Sequence, residues 1–229
     1  MTDDLPSAVR SEHTRARVTL YLLAGGLLLS LIAIGSGIAQ NAMLHEIGSG
    51  VEVTAERATA NDARQRLIGL VEIVVFLATV VAWLMWQHRA YANLRLVGSR
   101  ETEYTPGWSV GYWFIPILNL FRPYQITAEL WRRSELRNGR DPIGSLSRPP
   151  LILAWWVIYL ALGFLGRAYF STTMKATTVT DFIAATELGL VNDALGVVAA
   201  IFAFVVVRGI DRFQQEFSAA GAAAPAYPS

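Results

Sequence analysis

Four stretches of about 20 residues carry no charge or a single one, and they restrict this chain more than any other feature in it. A run of that length and apolarity spans a hydrocarbon core of about 30 Å when helical. Arg10, Arg15 and Arg17 precede the first run, residues 18–39. A secretory signal peptide competes for this run, but its apolar region is only about 7–15 residues long and ends in a small-residue cleavage site. Ile38, Ala39, Gln40 and Asn41 offer no such site, so residues 18–39 are read as an uncleaved first membrane span. The second span is 67–86, with Glu72 as its only charge. The third is 149–166, edged by Arg167. The fourth is 188–207, with Asp193 inside it and Arg208 at its edge. Lipid offers no partner to an open backbone, so four such spans imply an all-α, multi-pass membrane protein.

Local signals refine the ends. Thr54 is placed to cap a helix that enters the second span through residues 55–66, and Gly98 is a natural stop beyond it. Trp83, Trp86, Ala90, Leu94 and Val97 continue a helical stripe past residue 86, so this helix projects from both membrane faces. Thr180 or Asp181 would cap the helix entering the fourth span. The predicted transmembrane domain covers 15–213. A polar, flexible tail is expected at 1–14 and a disordered Ala/Pro-rich tail at 214–229.

Residues 104–121 resist this scheme. They are uncharged apart from their flanks, yet Pro106, Gly107, Gly111, Pro116 and Asn119 interrupt a helix. Charge distribution arbitrates, because cytoplasmic loops carry the excess of Lys and Arg. If 104–121 returns to the side it came from, the inner face holds three Lys/Arg in the N-terminal tail, nine in 87–148 and two after 207. That places fourteen inside against five outside. If it crosses, eight lie inside and eleven outside. Residues 104–121 are therefore read as a re-entrant or interfacial element, with both termini cytoplasmic. Broken backbone at that depth is tolerated only when buried in protein or lining a wet cavity. Asn119 is suited to satisfy freed backbone groups, and Trp108, Tyr112 and Trp113 suit the headgroup level. Residues 123–136 follow as an amphipathic helix with Pro123 in its first turn. Ile126, Thr127, Leu130, Trp131 and Ser134 are placed on one face, and Gln125, Glu129, Arg132 and Arg133 on the other.

These same residues carry a family resemblance. Arg89, Asn93 and Leu94, then Pro106, Gly107, Trp108 and Trp113, then Pro116, Asn119, Leu120, Arg122, Pro123, Tyr124, Gln125 and Trp131 resemble the bacterial membrane family called domain of unknown function 4328. With the flanking spans, the resemblance covers roughly residues 18–213. It implies a multi-pass protein of the bacterial plasma membrane, and it brings no activity and no catalytic residues with it.

Several functions are excluded by composition. The absence of cysteine removes disulfides, iron–sulfur clusters, Cys-based zinc sites and thiol catalysis. His13, His45 and His88 fall in separate regions and cannot share a metal, and no zinc-protease, Walker or nucleophile-elbow motif occurs. No cofactor is expected. A net charge of +1 argues against nucleic acid as a partner.

Two constellations remain. Arg89, Asn93, Trp108, Trp113, Asn119, Arg122, Tyr124, Trp131, Arg132 and Arg133 form the first. Their architectural reading is snorkelling arginines and a capped, broken backbone. Their functional reading is a non-enzymatic cytoplasmic-face module that engages anionic lipid headgroups or another membrane protein. The second comprises Glu72, Arg167, Asn192 and Asp193. Both acids lie five residues inside their spans, about 7–8 Å below the outer edge. Their shallow depth favours a structural reading, a packing ion pair or a carboxylate reached by surface water, over the alternative function, a small transporter or channel. An enzyme acting on lipid-linked substrates ranks last and would need Glu129 on an aqueous face near Arg122 and His88. Small residues four apart (Gly26/Ser30, Ala33/Gly37, Gly196/Ala200, Ala199/Ala203) suit close helix packing, within the chain or between copies in a homo-oligomer.

Overall fold

The computed structural model describes residues 4–95, 102–135 and 150–223, and among them there is no strand. The order is α1 (Asp4–Gly48), α2 (Ala55–Asn93), α3 (Pro106–Gly111), two single 3-10 turns (Tyr112–Phe114 and Leu118–Leu120), α4 (Arg122–Glu135), α5 (Pro150–Lys175) and α6 (Val179–Ala223). Helices α1, α2, α5 and α6 are each long and apolar enough to cross a membrane. The chain is an all-α, multi-pass membrane protein.

The helices overrun their apolar stretches. Helix α1 begins at Asp4, where a flexible tail was expected over 1–14. Pro6 does not prevent this, because first-turn amides have no intrahelical partner to lose. Helix α6 likewise continues to Ala223 through most of the tail expected to be disordered from 214, and its last turns are rich in alanine, the strongest helix former. Helix α2 ends at Asn93. The expected stop at Gly98, the start of the third span at Pro149, Leu136 and residues 224–229 lie outside the described residues.

The helix starts follow side-chain chemistry. Thr54 Oγ1 accepts the Arg57 amide at 3.3 Å, as its position suggests. At α6 the cap is Thr178 rather than Thr180 or Asp181. Thr178 Oγ1 accepts the Asp181 amide at 3.2 Å, and the Asp181 carboxylate accepts the amides of Thr178 at 2.9 Å and Thr177 at 3.1 Å. Asp181 is thus the returning arm of a reciprocal capping pair.

The residues pack as two compact units. One comprises Leu22–Ala78 and Val157–Phe202. Its large apolar side chains, among them Leu28, Leu70, Phe76, Phe164 and Phe170, face outward. That inverts a water-soluble surface and suits lipid. Its interior is held by small residues. A Cβ at Gly37 would meet Leu190 at 2.8 Å, one at Gly26 would meet Val75 at 3.8 Å, and one at Gly196 would meet Ser30 Oγ at 3.8 Å. Those three small positions therefore serve packing within the chain. A polar chain runs beside them. Arg64 donates to Ser36 Oγ at 2.8 Å and to Asn61 Oδ1 at 2.7 Å, and Gln40 donates to Thr186 Oγ1 at 2.9 Å.

The other unit comprises Met1–Tyr21, Thr79–Trp156 and Ala203–Ser229, and has a dense aromatic core. Trp83 stacks on Trp155 with centroids 5.1 Å apart, and Trp86 meets Trp83 edge-on at 5.1 Å. Every indole N–H of this core for which a partner is identified meets an oxygen. Gln87 Oε1 accepts both Trp83 and Trp113 at 3.0 Å, Glu12 Oε1 accepts Trp86 at 2.7 Å, and the Leu120 carbonyl accepts Trp156 at 3.1 Å. The last bond answers part of the backbone broken around Pro116. A second polar core surrounds Gln214, which donates to the Ala90 carbonyl at 2.9 Å and to Ser134 Oγ at 3.2 Å while accepting Asn93 Nδ2 at 3.3 Å. It ties α2, α4 and α6 together.

Candidate functional site

Residues 104–121 fold as the breakers dictate. Thr105 Oγ1 caps α3 by accepting the Trp108 amide at 3.3 Å, and Pro106 opens the helix. The chain then turns through the two 3-10 segments, with Ile115 extended between them before Pro116. Gly111 lies close under the Trp108 ring, which a Cβ there would meet at 3.1 Å. Trp108 stacks on Tyr112 with centroids 4.9 Å apart and is half exposed. Trp113 is held between Trp83 and Trp156, edge-on to both.

This folding sets a cavity of about 200 Å³ against α4, lined by Glu103, Tyr104, Arg122, Tyr124, Gln125, Ala128 and Arg132. Arg122 is its best-positioned cation. Its Nη1 donates to Tyr104 Oη at 3.0 Å and to Gln125 Oε1 at 2.9 Å. Its guanidinium lies 5.7 Å from the ring centroids of Tyr104 and Tyr112 and 5.6 Å from that of Phe121. Aromatic faces of this kind hold a guanidinium without neutralising it. Arg122 Nε is buried with no hydrogen-bond partner among the described residues. Arg132 Nε donates to the Ala128 carbonyl at 3.3 Å. Among the described residues neither arginine forms an ion pair.

Arg133 stands in a different environment. It was expected on the polar face with Glu129, but both are buried, at 7% and 1% exposure of the side chain. Arg133 Nε donates to Glu129 Oε1 at 2.6 Å. The same carboxylate accepts the Glu103 amide at 2.8 Å and the Tyr91 hydroxyl, and Tyr91 Oη in turn accepts the Tyr104 amide at 3.0 Å. Arg133 therefore anchors α4 to α2 and to the start of the broken element, and takes no part in the cavity. Glu129, the carboxylate an enzyme reading needs on an aqueous face, is enclosed here, while His88 is exposed.

The remaining residues of the first constellation divide similarly. Asn93 belongs to the Gln214 core. Trp131 packs edge-on against Phe213 and over Gly209, where a Cβ would meet the indole at 2.5 Å. Arg89 is half-buried with its Nε unpartnered among the described residues. Asn119 Oδ1 is also buried with no partner among them, so the expected cap on the broken backbone is not made by that atom. Sequence reading did not single out Glu103, Tyr104 or Gln125 as site residues, although the cavity takes its wall from all three. It also passed over a cluster in this unit, where His13 Nδ1 lies 2.9 Å from Asp211 Oδ1 and 2.8 Å from Gln215 Nε2.

The acidic constellation is partly assembled. Glu72 and Asp193 are near enough to act on one another, and Tyr169 lies within reach of both charges while packing on Gly189, whose Cβ would meet it at 3.0 Å. Asn192 Oδ1 is buried with no hydrogen-bond partner among the described residues. Arg167 is exposed and pairs with neither acid. Among the described residues no group of three His, Asp or Glu side chains could hold a metal ion.

A family model described as domain of unknown function (DUF4328) matches residues 49–212, so the chain belongs to that family. No curated protein and no solved structure matches it.

Proposed function

We propose that this member of the DUF4328 family is a non-enzymatic module of the bacterial plasma membrane that engages phosphate-bearing lipid headgroups at the cytoplasmic face, with both termini on that side. The observation that carries the reading is the cavity on α4, where Arg122 and Arg132 share one wall and neither has a carboxylate partner among the described residues. A guanidinium held by tyrosine hydroxyl, amide oxygen and ring faces keeps its charge and its remaining N–H donors for an incoming phosphate. The asymmetry of Lys and Arg along the chain supports the cytoplasmic orientation.

The test is retention of anionic lipid by protein purified in mild detergent, read by native mass spectrometry. Each arginine near a membrane surface contributes about 1 kcal/mol to anionic-lipid binding, so Arg122→Gln with Arg132→Gln is expected to lower affinity roughly thirtyfold. Undiminished lipid on the doubly substituted protein would refute the reading. Arg133 is left out of this test because its loss would disturb folding instead.

A second reading rests on the convergence of Glu72, Asp193 and Tyr169 in the other unit. Acids that meet among apolar helices suit a proton or cation path. It requires pH- or ion-dependent flux in proteoliposomes that Glu72→Gln and Asp193→Asn abolish. Flux indifferent to both substitutions would remove it.

A further inference from the structure

The cavity on α4 is not uniformly cationic. Glu103 lines it too, and among the described residues it is the only acidic one to do so, beside Arg122, Arg132, Tyr104 and Tyr124. Glu103 is exposed, and its backbone amide is fixed by the buried Glu129 carboxylate at 2.8 Å. The backbone at Glu103 is therefore held by the same carboxylate that pairs with Arg133. Glu103 pairs with neither cavity arginine within 4 Å, although both line the same space.

A site selecting a purely anionic group gains nothing from a carboxylate at its rim. A negative charge beside a bound phosphate repels it, and among the described residues no arginine pairs with Glu103. A ligand that carries a cation a few bonds from its phosphate turns the same carboxylate into a partner. Building on the headgroup reading above, we propose that the cavity takes a phosphate ester bearing a primary ammonium, of the ethanolamine-phosphate class. The phosphate is received by Arg122 and Arg132, and the ammonium by Glu103. The primary amine fits better than a quaternary one, because its N–H groups donate to a carboxylate while methyl groups do not. The tyrosine rings beside the site add a face on which an ammonium rests favourably. The volume of about 200 Å³ suits a headgroup rather than a whole lipid, whose chains would remain in the bilayer.

The same chemistry occurs in phosphatidylethanolamine and in free O-phosphoethanolamine, and the experiment separates them. Full-length protein in detergent is offered equal amounts of phosphatidylethanolamine and phosphatidylglycerol, and bound lipid is counted by native mass spectrometry. In a parallel arm, binding of O-phosphoethanolamine is compared with that of inorganic phosphate. An exposed charge pair is worth up to about 1 kcal/mol, so a preference of about three- to fivefold for the amine-bearing partner is expected in at least one arm. Glu103→Gln should erase that preference by lowering binding of the amine-bearing partner toward that of phosphatidylglycerol or inorganic phosphate. Glu103 is exposed, so this variant is expected to fold, which its elution and helical signal will show. Preference in the lipid arm assigns the bilayer as the source, and preference in the soluble arm alone assigns the free ester. Equal binding of both partners in both arms, or a preference that survives Glu103→Gln, overturns the proposal. Binding that is unselective yet lost in Arg122→Gln/Arg132→Gln overturns it while sparing the headgroup reading. Absence of binding to every partner overturns both.

Discussion

Helix α4 carries its arginines into two environments. Arg132 borders a cavity that it shares with Arg122, and neither has an ion-pair partner among the described residues, whereas Arg133, one residue further, is buried against Glu129 with Tyr91 closing the group. Composition does not separate them, and position on the helix does. Arg133 follows Glu129 by four residues, the spacing at which helical side chains meet, and Ala128 occupies the corresponding position for Arg132. A charge that finds its counter-ion inside the protein becomes part of the fold. One that finds only phenols, amides and ring faces remains available to a ligand.

The largest expected effects lie on the buried side of this comparison. Removing one partner of an enclosed ion pair leaves the other uncompensated, so Glu129→Ala or Arg133→Ala should cost about 3–5 kcal/mol, measured by thermal or denaturant unfolding in detergent. Replacing both together by apolar residues of similar volume should cost much less, and a double variant as unstable as the singles would break the assignment. Next comes Gly209→Ala, whose new methyl group would be forced against the Trp131 indole, at about 1–3 kcal/mol. Gly37→Ala meets only the flexible end of Leu190 and should cost less. Trp113→Phe deletes one of the two indole donors to Gln87 Oε1, and about 0.5–1.5 kcal/mol should follow. Smallest of all is Arg132→Gln, which should leave stability within about 0.5 kcal/mol of the parent while reducing lipid retention. A marked loss of stability there would place Arg132 with Arg133 and erase the distinction.

The long helices were legible because lipid demands uninterrupted apolar runs, and Pro106, Gly107, Pro116 and Asn119 marked the broken element for the same backbone reason. The start of α1 and the end of α6 were not, because polar helical turns beyond a span carry no hydropathy signal, whereas Thr54 marked the start of α2. Arg133 was placed on the wrong face although the sequence held the clue. It follows Ile126 by seven residues and Leu130 by three, so the helical period sets it on the apolar stripe. Its charge outweighed that arithmetic, and Glu129 was carried along. Other contacts lay beyond any local pattern. Tyr91 meeting Glu129, or Gln214 meeting Ala90 and Ser134, joins residues 38 to 124 positions apart. In the acidic constellation, equal depth in two spans suggested that Glu72 and Asp193 approach one another, and Glu72 lies within reach of the Asp193 charge, whereas Arg167 is exposed.

The cavity can serve cytoplasmic headgroups only if the broken element returns to the side it left. The chain has no cysteine, so Ser145→Cys introduces a unique label between α4 and α5. Labelling by a membrane-impermeant maleimide should fail in intact cells and succeed in inverted membrane vesicles. Labelling in intact cells would place residues 122–148 on the outside, make 104–121 a fifth crossing, and remove Arg122 and Arg132 from the cytoplasmic face.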